Sequence, residues 1–348
     1  MITIGKLSLK HGVFLAPMAG VTDYAYRCVC KAHGAEYMTT EMVSAKAMHF
    51  GDRNTGILAE VTENEQPMAV QIFGSEPEIM AEAAKMLSEM KIPPCAIDIN
   101  MGCPAKKIVS NGEGSFLMKN PERAAEIVYA VSRATSLPVT VKIRAGYSES
   151  EKNAPLLAPL LEQAGASMIT IHGRTREQMY APPVDLEVIK AVKDAVKIPV
   201  IGNGDIFSSF DALEMKKKTG CDGVMLGRGT MGNPWLFEEV ISAFEGKNDF
   251  VSPTPSERIA AAISHAELLI KNKQRTGVLE ARRHISYYLK GIYGSAASRC
   301  ALNTAEDFDT MKEILNRLLD SVQRHSESGE GESKENLEGG HGESEGGL

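Results

Sequence analysis

Short apolar segments rich in β-branched residues alternate with helical patterns along most of the chain. The apolar segments are nearly continuous, as expected for parallel strands that are covered on both faces. Between them, apolar residues recur at helical spacing. The pattern predicts strands at 13–18, 35–39, 68–73, 95–100, 139–144, 167–172, 199–203 and 223–226, separated by helices such as 76–90, 121–134, 185–195 and 208–218.

Eight strand–helix units in succession predict an α/β fold, a (β/α)8 TIM barrel that occupies residues 1–248. An open, doubly wound sheet is the main alternative. It usually has fewer strands, and no Gly-x-Gly-x-x-Gly sequence follows the first strand here. The barrel is therefore the predicted fold.

The chain changes character after the barrel. Residues 249–255 form a linker rich in Pro, Ser and Thr, and Thr254, Pro255 and Glu257 are typical of a helix start. Helices are predicted from there to about residue 275 and at 278–291 and 304–323, so residues 256–324 should form a small helical domain. Residues 325–348 have almost nothing to bury and should form a disordered acidic tail.

Charge is unevenly distributed along the 348 residues, whose formal net charge is −7. The tail holds seven Glu and one Lys, whereas residues 258–299 hold eight Lys or Arg and two Glu. Such a basic segment permits a polyanionic partner, although a solvated helical surface would have the same composition. No protein partner is implied.

Two classes of protein are disfavoured by the composition. No run approaches the ~20 apolar residues of a membrane span, and the first residues lack the plan of a signal peptide, so we expect no membrane association and a cytoplasmic protein. The six cysteines have no zinc-ligand spacing, so we expect free thiols and no metal.

The unusual polar residues fall where the predicted strands end. TIM barrels carry their chemistry at the carboxyl ends of the strands, so this edge predicts an active site. The residues concerned are Pro17, Met18 and Ala19, Glu41, Gln71, Asn100, Lys142 and Arg144, His172 and Arg174, Asn203, Gly204 and Asp205, and Gly227 and Arg228.

The loops after the seventh and eighth strands are both rich in glycine. Their sequences are Gly-Asn-Gly-Asp (202–205) and Gly-Arg-Gly (227–229). These are the loops with which barrels often bind phosphate, because glycine lets backbone N–H groups approach the oxygens and Arg228 can add charge-assisted bonds. The alternative is that the glycines only form tight turns.

Two cations lie on the fifth strand. Lys142 and Arg144 are two residues apart, so both can point into the barrel mouth. A buried lysine requires an anionic partner or a function. It could form an internal ion pair with Glu41 or Asp98, or face a ligand that becomes anionic, such as a reduced flavin ring.

A long loop follows the fourth strand and carries Cys103 between a glycine and a proline. A thiol in an exposed turn there could act as a general acid near neutral pH. Without the other motifs, a nonreactive loop cysteine would be the favoured interpretation of this position.

These motifs resemble the tRNA-dihydrouridine synthases, an FMN-dependent family, and most of all its B-type bacterial subgroup. The resemblance covers nearly everything before the tail, and the pair NMGCPAKK and HGRTR is highly specific. The matching segments are APMAGVTD (16–23), EM (41–42), VQIFG (70–74), DINMGCPAKK (98–107), VKIRAGY (141–147), IHGRTREQ (171–178), GNGDI (202–206), GRGTMGNPW (227–235) and ARRHISYYLKG (281–291).

The resemblance implies a role for each matching position. Cys103 would be the proton donor. The flavin would be bound by Pro17, Met18, Ala19, Gln71, Lys142, His172, Asn203, Gly204, Asp205, Gly227 and Arg228. The tRNA substrate would be contacted by Asn100, Arg144, Arg174, Arg176, Arg282, Arg283, Lys290 and Arg299.

Three positions depart from the family pattern. Tyr147 stands where tryptophan is frequent, Glu113 replaces a small residue, and residues 181–186 read Ala-Pro-Pro-Val-Asp-Leu in place of a glycine and an Ala-Asp-Trp-like stretch. These departures concern the part that would face the substrate more than the flavin site.

The activity implied is reduction of uridines in the tRNA D-loop to 5,6-dihydrouridine, with NADPH or NADH as reductant. Hydride from FMN would reach carbon 6 of uracil, and Cys103 would protonate carbon 5. Three alternatives are a flavin enzyme acting on a free pyrimidine or dihydroorotate, a flavin-free aldolase with Lys142 as Schiff base, and an inactive RNA-binding protein. The basic helical segment disfavours the first, and the intact Cys103, Lys142 and His172 disfavour the last.

Overall fold

A closed ring of parallel strands forms the centre of the first of two units, which spans Met1–Ser252, while the second begins at Pro253. The computed structural model describes residues 1–327. Within these residues the ring contains eight strands, in the order β3-β4-β6-β7-β8-β9-β10-β11 and back to β3. The strands are β1 (Ile2–Ile4), β2 (Leu7–Leu9), β3 (Val13–Leu15), β4 (Tyr37–Thr39), β5 (Val43–Ser44), β6 (Met68–Phe73), β7 (Ala96–Met101), β8 (Val139–Arg144), β9 (Ala166–His172), β10 (Val200–Asn203) and β11 (Gly223–Leu226).

Helices follow the ring strands, which confirms the predicted (β/α)8 barrel. Their starts are set by local chemistry. Asp23, Asp185 and Ser208, for example, each accept a backbone N–H bond of the turn they cap. The helices of this unit are α1 (Tyr24–Ala32), α2 (Ala45–His49), α3 (Arg53–Ala59), α4 (Pro77–Ser88), α5 (Lys106–Val109), α6 (Pro121–Ala134), α7 (Ala154–Gln163), α8 (Leu186–Ala195), α9 (Ser209–Thr219) and α10 (Leu236–Phe244).

An antiparallel hairpin of β1 and β2, which the sequence pattern did not predict, closes the amino-terminal end of the barrel. Its Ile2, Ile4 and Leu9 are buried in the same cluster as Phe14 and Tyr37, at the starts of ring strands. A larger apolar layer fills the space between the strands and the surrounding helices. The carboxyl end of the barrel is therefore the end left for a site.

The second unit consists of helices. The first begins with a capping box in which Thr254 and Glu257 bond each other's backbone N–H. The helices are α11 (Pro255–Lys273), α12 (Arg275–Tyr288), α13 (Ser295–Leu302) and α14 (Phe308–Glu327), of which α13 was not predicted. Helix α14 includes residues 325–327, the first three of the predicted disordered tail, and the rest of the tail prediction lies outside the described residues.

Candidate active site

A cavity of about 520 Å3 opens at the carboxyl ends of the barrel strands. It brings together every residue predicted to contact a flavin, together with Cys103, Asn100 and Arg144. Its lining includes Pro17, Met18, Ala19, Gln71, Asn100, Cys103, Lys142, Arg144, His172, Asn203, Gly204, Asp205, Gly227 and Arg228. Residues that are distant in sequence thus surround one space.

The turn that carries Cys103 is tied to the barrel on three sides. Its backbone N–H donates to Asn100 Oδ1 at 2.9 Å, and its carbonyl accepts from Ser115 Oγ at 2.8 Å. Arg144 Nε donates to the neighbouring carbonyl of Gly102 at 2.8 Å. At Gly114, where φ is +59°, a Cβ would lie 3.0 Å from the Cys103 carbonyl, so this close approach requires glycine.

The thiol of Cys103 is half-buried, and this burial raises its pKa above the ordinary value. Hydrogen bonding to the Ala105 backbone and the charges of Arg144 and Lys142 oppose the shift without reversing it. The group is therefore protonated near neutral pH, as a proton donor must be.

Lys142 points its ammonium group at Asn203, with 3.1 Å between Nζ and Oδ1. In the described part of the chain it forms no ion pair, so neither Glu41 nor Asp98 is the partner that was considered as an alternative. Desolvation, added to the repulsion from Arg144, lowers the pKa of Lys142 to about 8. Lys142 therefore faces the cavity as a cation that makes no direct ion pair, although the charge of the buried Asp98 partly opposes the lowering of its pKa.

Arg144 is almost completely buried and is used to hold loops together. Besides Gly102, it donates from Nη1 to the carbonyls of Thr175 at 2.9 Å and Met179 at 2.8 Å. It thus joins the loop after β7 to the loop after β9. Arg144 also lines the cavity, so a contact with the substrate is compatible with its position and stays a prediction.

The glycine-rich loops approach their neighbours closely. A Cβ on Gly204, where φ is +127°, would lie 2.8 Å from Val184 and 3.0 Å from the His172 ring. On Gly229 it would lie 2.3 Å from the Ile206 carbonyl.

Burial, with four nearby cations, holds the pKa of His172 far below its usual range, so the ring is neutral.

The structure places the side chain of Arg174, a predicted tRNA contact, inside the protein. Only 1% of Arg174 is exposed, and its guanidinium forms a bidentate ion pair with Asp205 while Nε donates to the Ala181 carbonyl at 2.7 Å. Asp205 accepts a further bond at 2.9 Å from Arg228, which is 45% exposed. Because its guanidinium is buried and bonded to Asp205 and Ala181, Arg174 organises the loop after β10, and its assignment as a tRNA contact stays a prediction.

The remaining predicted tRNA residues have different surroundings. Arg176 is half-buried over the Tyr147 ring, with 5.4 Å between its guanidinium carbon and the ring centroid. Arg282 donates two bonds to the Ala305 carbonyl, at 3.0 and 2.6 Å, within the helical unit. Arg283, Lys290 and Arg299 are exposed, and their roles stay predictions.

Two aromatic residues at the cavity were missed in the sequence. Tyr180 and Phe207 both line it and are about half exposed. The Arg228 guanidinium lies over both rings, 5.0 Å from the centroid of Tyr180 and 5.9 Å from that of Phe207. Their only sequence signal is that Tyr180 and Phe207 lie just after the matching segments 171–178 and 202–206, so the side-chain positions could not be predicted.

The described residues hold no helix that is long and apolar enough to cross a membrane. Among the same residues, no group of three or more His, Cys, Asp or Glu side chains could hold a metal ion. The cytoplasmic location and the absence of a metal stay predictions.

Comparison with known proteins agrees with the motifs. Residues 14–325 match the family described as Dihydrouridine synthase (Dus). A probable tRNA-dihydrouridine synthase of Rickettsia conorii is 41% identical over 92% of this chain and 97% of its own. The tRNA-dihydrouridine synthase B of Pseudomonas aeruginosa is 37% identical over 89% of this chain and 93% of its own.

A solved structure shows likeness of fold alone. Histamine dehydrogenase from Rhizobium sp. 4-9 superimposes with a TM-score of 0.53 at 11% identity, covering 77% of this chain and 50% of that chain. The family assignment rests on the sequence relatives and on the match of residues 14–325. The chain belongs to the dihydrouridine synthase family, whose members are FMN-dependent oxidoreductases.

Proposed function

We propose that this enzyme reduces uridines in the D-loop of tRNA to 5,6-dihydrouridine, with bound FMN and with NADPH or NADH as reductant. The observation that carries the proposal is one cavity shared by a protonated thiol, a lysine bonded to a neutral amide and two glycine-rich loops. The relatives named as tRNA-dihydrouridine synthases support the choice of substrate.

The residues of the cavity fit FMN. Gly204 and Gly229 both line the cavity, and a Cβ on either would collide with neighbouring protein atoms, so the loops can pack this closely only with glycine. Backbone N–H groups of glycine-rich loops can approach phosphate oxygens. Arg228 is partly exposed beside them and still has donors to offer a phosphate. Pro17, Met18 and Ala19 add an apolar wall on which a planar ring can pack.

The chemistry then divides between the cofactor and the chain. FMN, when bound and reduced, supplies the hydride that adds to carbon 6 of uracil. Addition of hydride leaves negative charge on the uracil ring, and the Cys103 thiol then donates its proton to carbon 5. Burial of the thiol keeps it protonated until that step. Lys142 places a positive charge in the same cavity, where it would stabilise an anionic ring.

Recognition of tRNA requires the target base to leave its stack before it can enter the cavity. Tyr180 and Phe207 offer aromatic surface at the cavity, and stacking on such rings is a common way to hold an unpaired base. In the second unit, Arg283, Lys290 and Arg299 are exposed and can contact phosphates.

The test separates the two half-reactions at Cys103. Cys103→Ala should retain FMN and be reduced by NADPH at a near-normal rate. Its reoxidation by tRNA should slow by roughly 10²–10⁴-fold, the usual contribution of a positioned general acid. Stopped-flow absorbance of the flavin measures both steps, and Cys300→Ala, at an exposed cysteine, is the matched control.

Each outcome has a distinct meaning. Wild-type reoxidation in Cys103→Ala would show that another group is the donor. Loss of FMN would show that the residue is structural. Purified wild-type protein that stays colourless and takes up no added FMN would overturn the cofactor proposal itself.

A further inference from the structure

A continuous chain of hydrogen bonds connects the interior of the barrel with the Cys103 turn. Thr140 Oγ1 donates to Asp98 Oδ1 at 2.5 Å, and Gln71 Nε2 donates to Asp98 Oδ2 at 2.7 Å. Asn100 Nδ2 donates to Gln71 Oε1 at 2.7 Å. Asn100 Oδ1 then accepts the backbone N–H of Cys103 at 2.9 Å and that of the preceding glycine at 3.1 Å.

The strand register produces this chain. Gln71 of β6 is the register partner of Asp98 of β7, which in turn is the partner of Thr140 of β8. Asn100 lies two residues after Asp98 and so on the same face of its strand. Gln71, Asp98 and Asn100 are each less than a tenth exposed, so water does not compete for their bonds.

The donors and acceptors in this series of hydrogen bonds follow one order. The groups at its two ends, Asp98 and the backbone N–H groups of the Cys103 turn, both require that order. Burial raises the pKa of Asp98, whereas the bonds from Gln71 and Thr140 and the charge of Lys142 oppose that shift. As a carboxylate Asp98 can only accept, so Gln71 turns its amino group to Asp98 and its carbonyl to Asn100. Backbone N–H groups can only donate, so Asn100 must turn its carbonyl to the Cys103 turn and its amino group to Gln71. A side-chain amide inserted the other way would place two acceptors or two donors face to face.

We propose that Asp98 is a positioning residue that fixes the orientation of Gln71 and Asn100 and thereby holds the turn that carries Cys103. The consequence for proton donation rests on the function proposed above, whereas the effect on the turn does not. Ser115 and Arg144 also hold the turn. Loss of the hydrogen bonds from Asp98 through Gln71 to Asn100 should therefore loosen the turn without unfolding the protein.

The first variant is Asn100→Asp, which keeps an acceptor for the turn but replaces the donor to Gln71 with a second acceptor. The Gln71 amide then lies between two carboxylates and can satisfy only one. Repulsion between the Gln71 carbonyl and the new carboxylate should move the side chain at position 100 away from the backbone N–H groups of the turn. The turn should then loosen, and the Cys103 thiol, less desolvated, should react with iodoacetamide about tenfold faster. The readout is the alkylation rate of the Cys103 peptide by mass spectrometry, without NADPH or tRNA, with exposed Cys300 as internal reference.

The second step adds Asp98→Asn, which makes the prediction specific. With an amide donor at position 98 and a carboxylate acceptor at position 100, the Gln71 amide can reverse, and both of its bonds are made in the opposite direction. Asp98→Asn alone should have little effect, because the Thr140 hydroxyl can accept a bond as well as donate one. The double variant should therefore return the alkylation rate to within about threefold of wild type, a coupling that independent structural roles would not produce.

Two results would overturn the proposal: an unchanged rate in Asn100→Asp, or a double variant as reactive as that single one. If Asn100→Asp does not fold, as judged by thermal unfolding, the same cycle is measured with Gln71→Glu, which Asp98→Asn should likewise rescue. Because no step uses FMN turnover, failure of Cys103 as proton donor would leave these rates unchanged.

Discussion

Replacing Arg174 with methionine removes a buried charge but keeps a side chain of similar length. The guanidinium makes two bonds to Asp205 and one to the Ala181 carbonyl, and only 1% of the residue is exposed. Breaking a buried ion pair on one side costs about 3–5 kcal/mol. Because 31% of the Asp205 side chain is exposed and Arg228 remains beside it, we expect the free energy of unfolding to fall by about 2–4 kcal/mol.

The assay is urea unfolding of the matched pair Arg174→Met and Arg228→Met. Arg228 is 45% exposed and donates one bond to Asp205, so its loss should cost less than about 1 kcal/mol of stability while weakening FMN more than riboflavin. Equal destabilisation by the two variants would refute the distinction between an organising and a ligand-binding arginine.

The pH dependence of stability provides a second measure of the same pair. Hydrogen bonding from Arg174 holds the pKa of Asp205 below its ordinary value in the folded protein. The unfolded chain therefore takes up the proton first as the pH falls, so the stabilisation is present near neutral pH and is lost in the acid range. Arg174→Met should show a smaller loss of stability in acid than the wild type.

Three further predictions concern other parts of the molecule. Lys142 has a pKa of about 8 when folded and an ordinary value when unfolded, so stability should rise between pH 8 and 10, and Lys142→Met should abolish that rise in pH-dependent unfolding. Gly204→Ala should weaken FMN binding at least tenfold by fluorescence titration, because its Cβ would collide with Val184 and the backbone φ is +127°; Gly246→Ala, with φ +72° and open space, is the control. Arg283→Glu should raise the KM for tRNA without slowing reduction by NADPH, and an unchanged salt dependence of tRNA binding would contradict it.

Sequence pattern predicted the barrel well because each strand is a mostly apolar run with a clear end. The bounds of β6, β8 and β11 coincide with those predicted. The β1–β2 hairpin was missed because its strands have three residues each, too few to show a period. Helix α13 was missed because it starts next to Gly294 in a segment rich in small residues.

The candidate site could be predicted as a set of residues but not as a set of contacts. Arg174 was marked as a site residue because it follows a strand end, and the family resemblance then implied a contact with tRNA. Its partner Asp205 lies 31 positions away in sequence, and nothing local indicates that the two meet or that the pair is buried. Charge at a strand end therefore indicates the site without distinguishing the residues that bind from those that organise.

The hydrogen-bonded residues Gln71 and Asn100 show that, for neutral side chains too, a position at the site does not distinguish binding from organising residues. Gln71 and Asn100 were both predicted to contact ligands, and both line the cavity. Yet the carbonyl of Gln71 is already bonded to Asn100, and the carbonyl of Asn100 is bonded to the Cys103 turn. What each can still offer a ligand is limited to the remaining amide hydrogens and lone pairs, whereas the Lys142 ammonium, bonded to the neutral Asn203 amide, retains donors and its charge. The recognition of an anionic ring should therefore depend more on Lys142 than on the amides beside it.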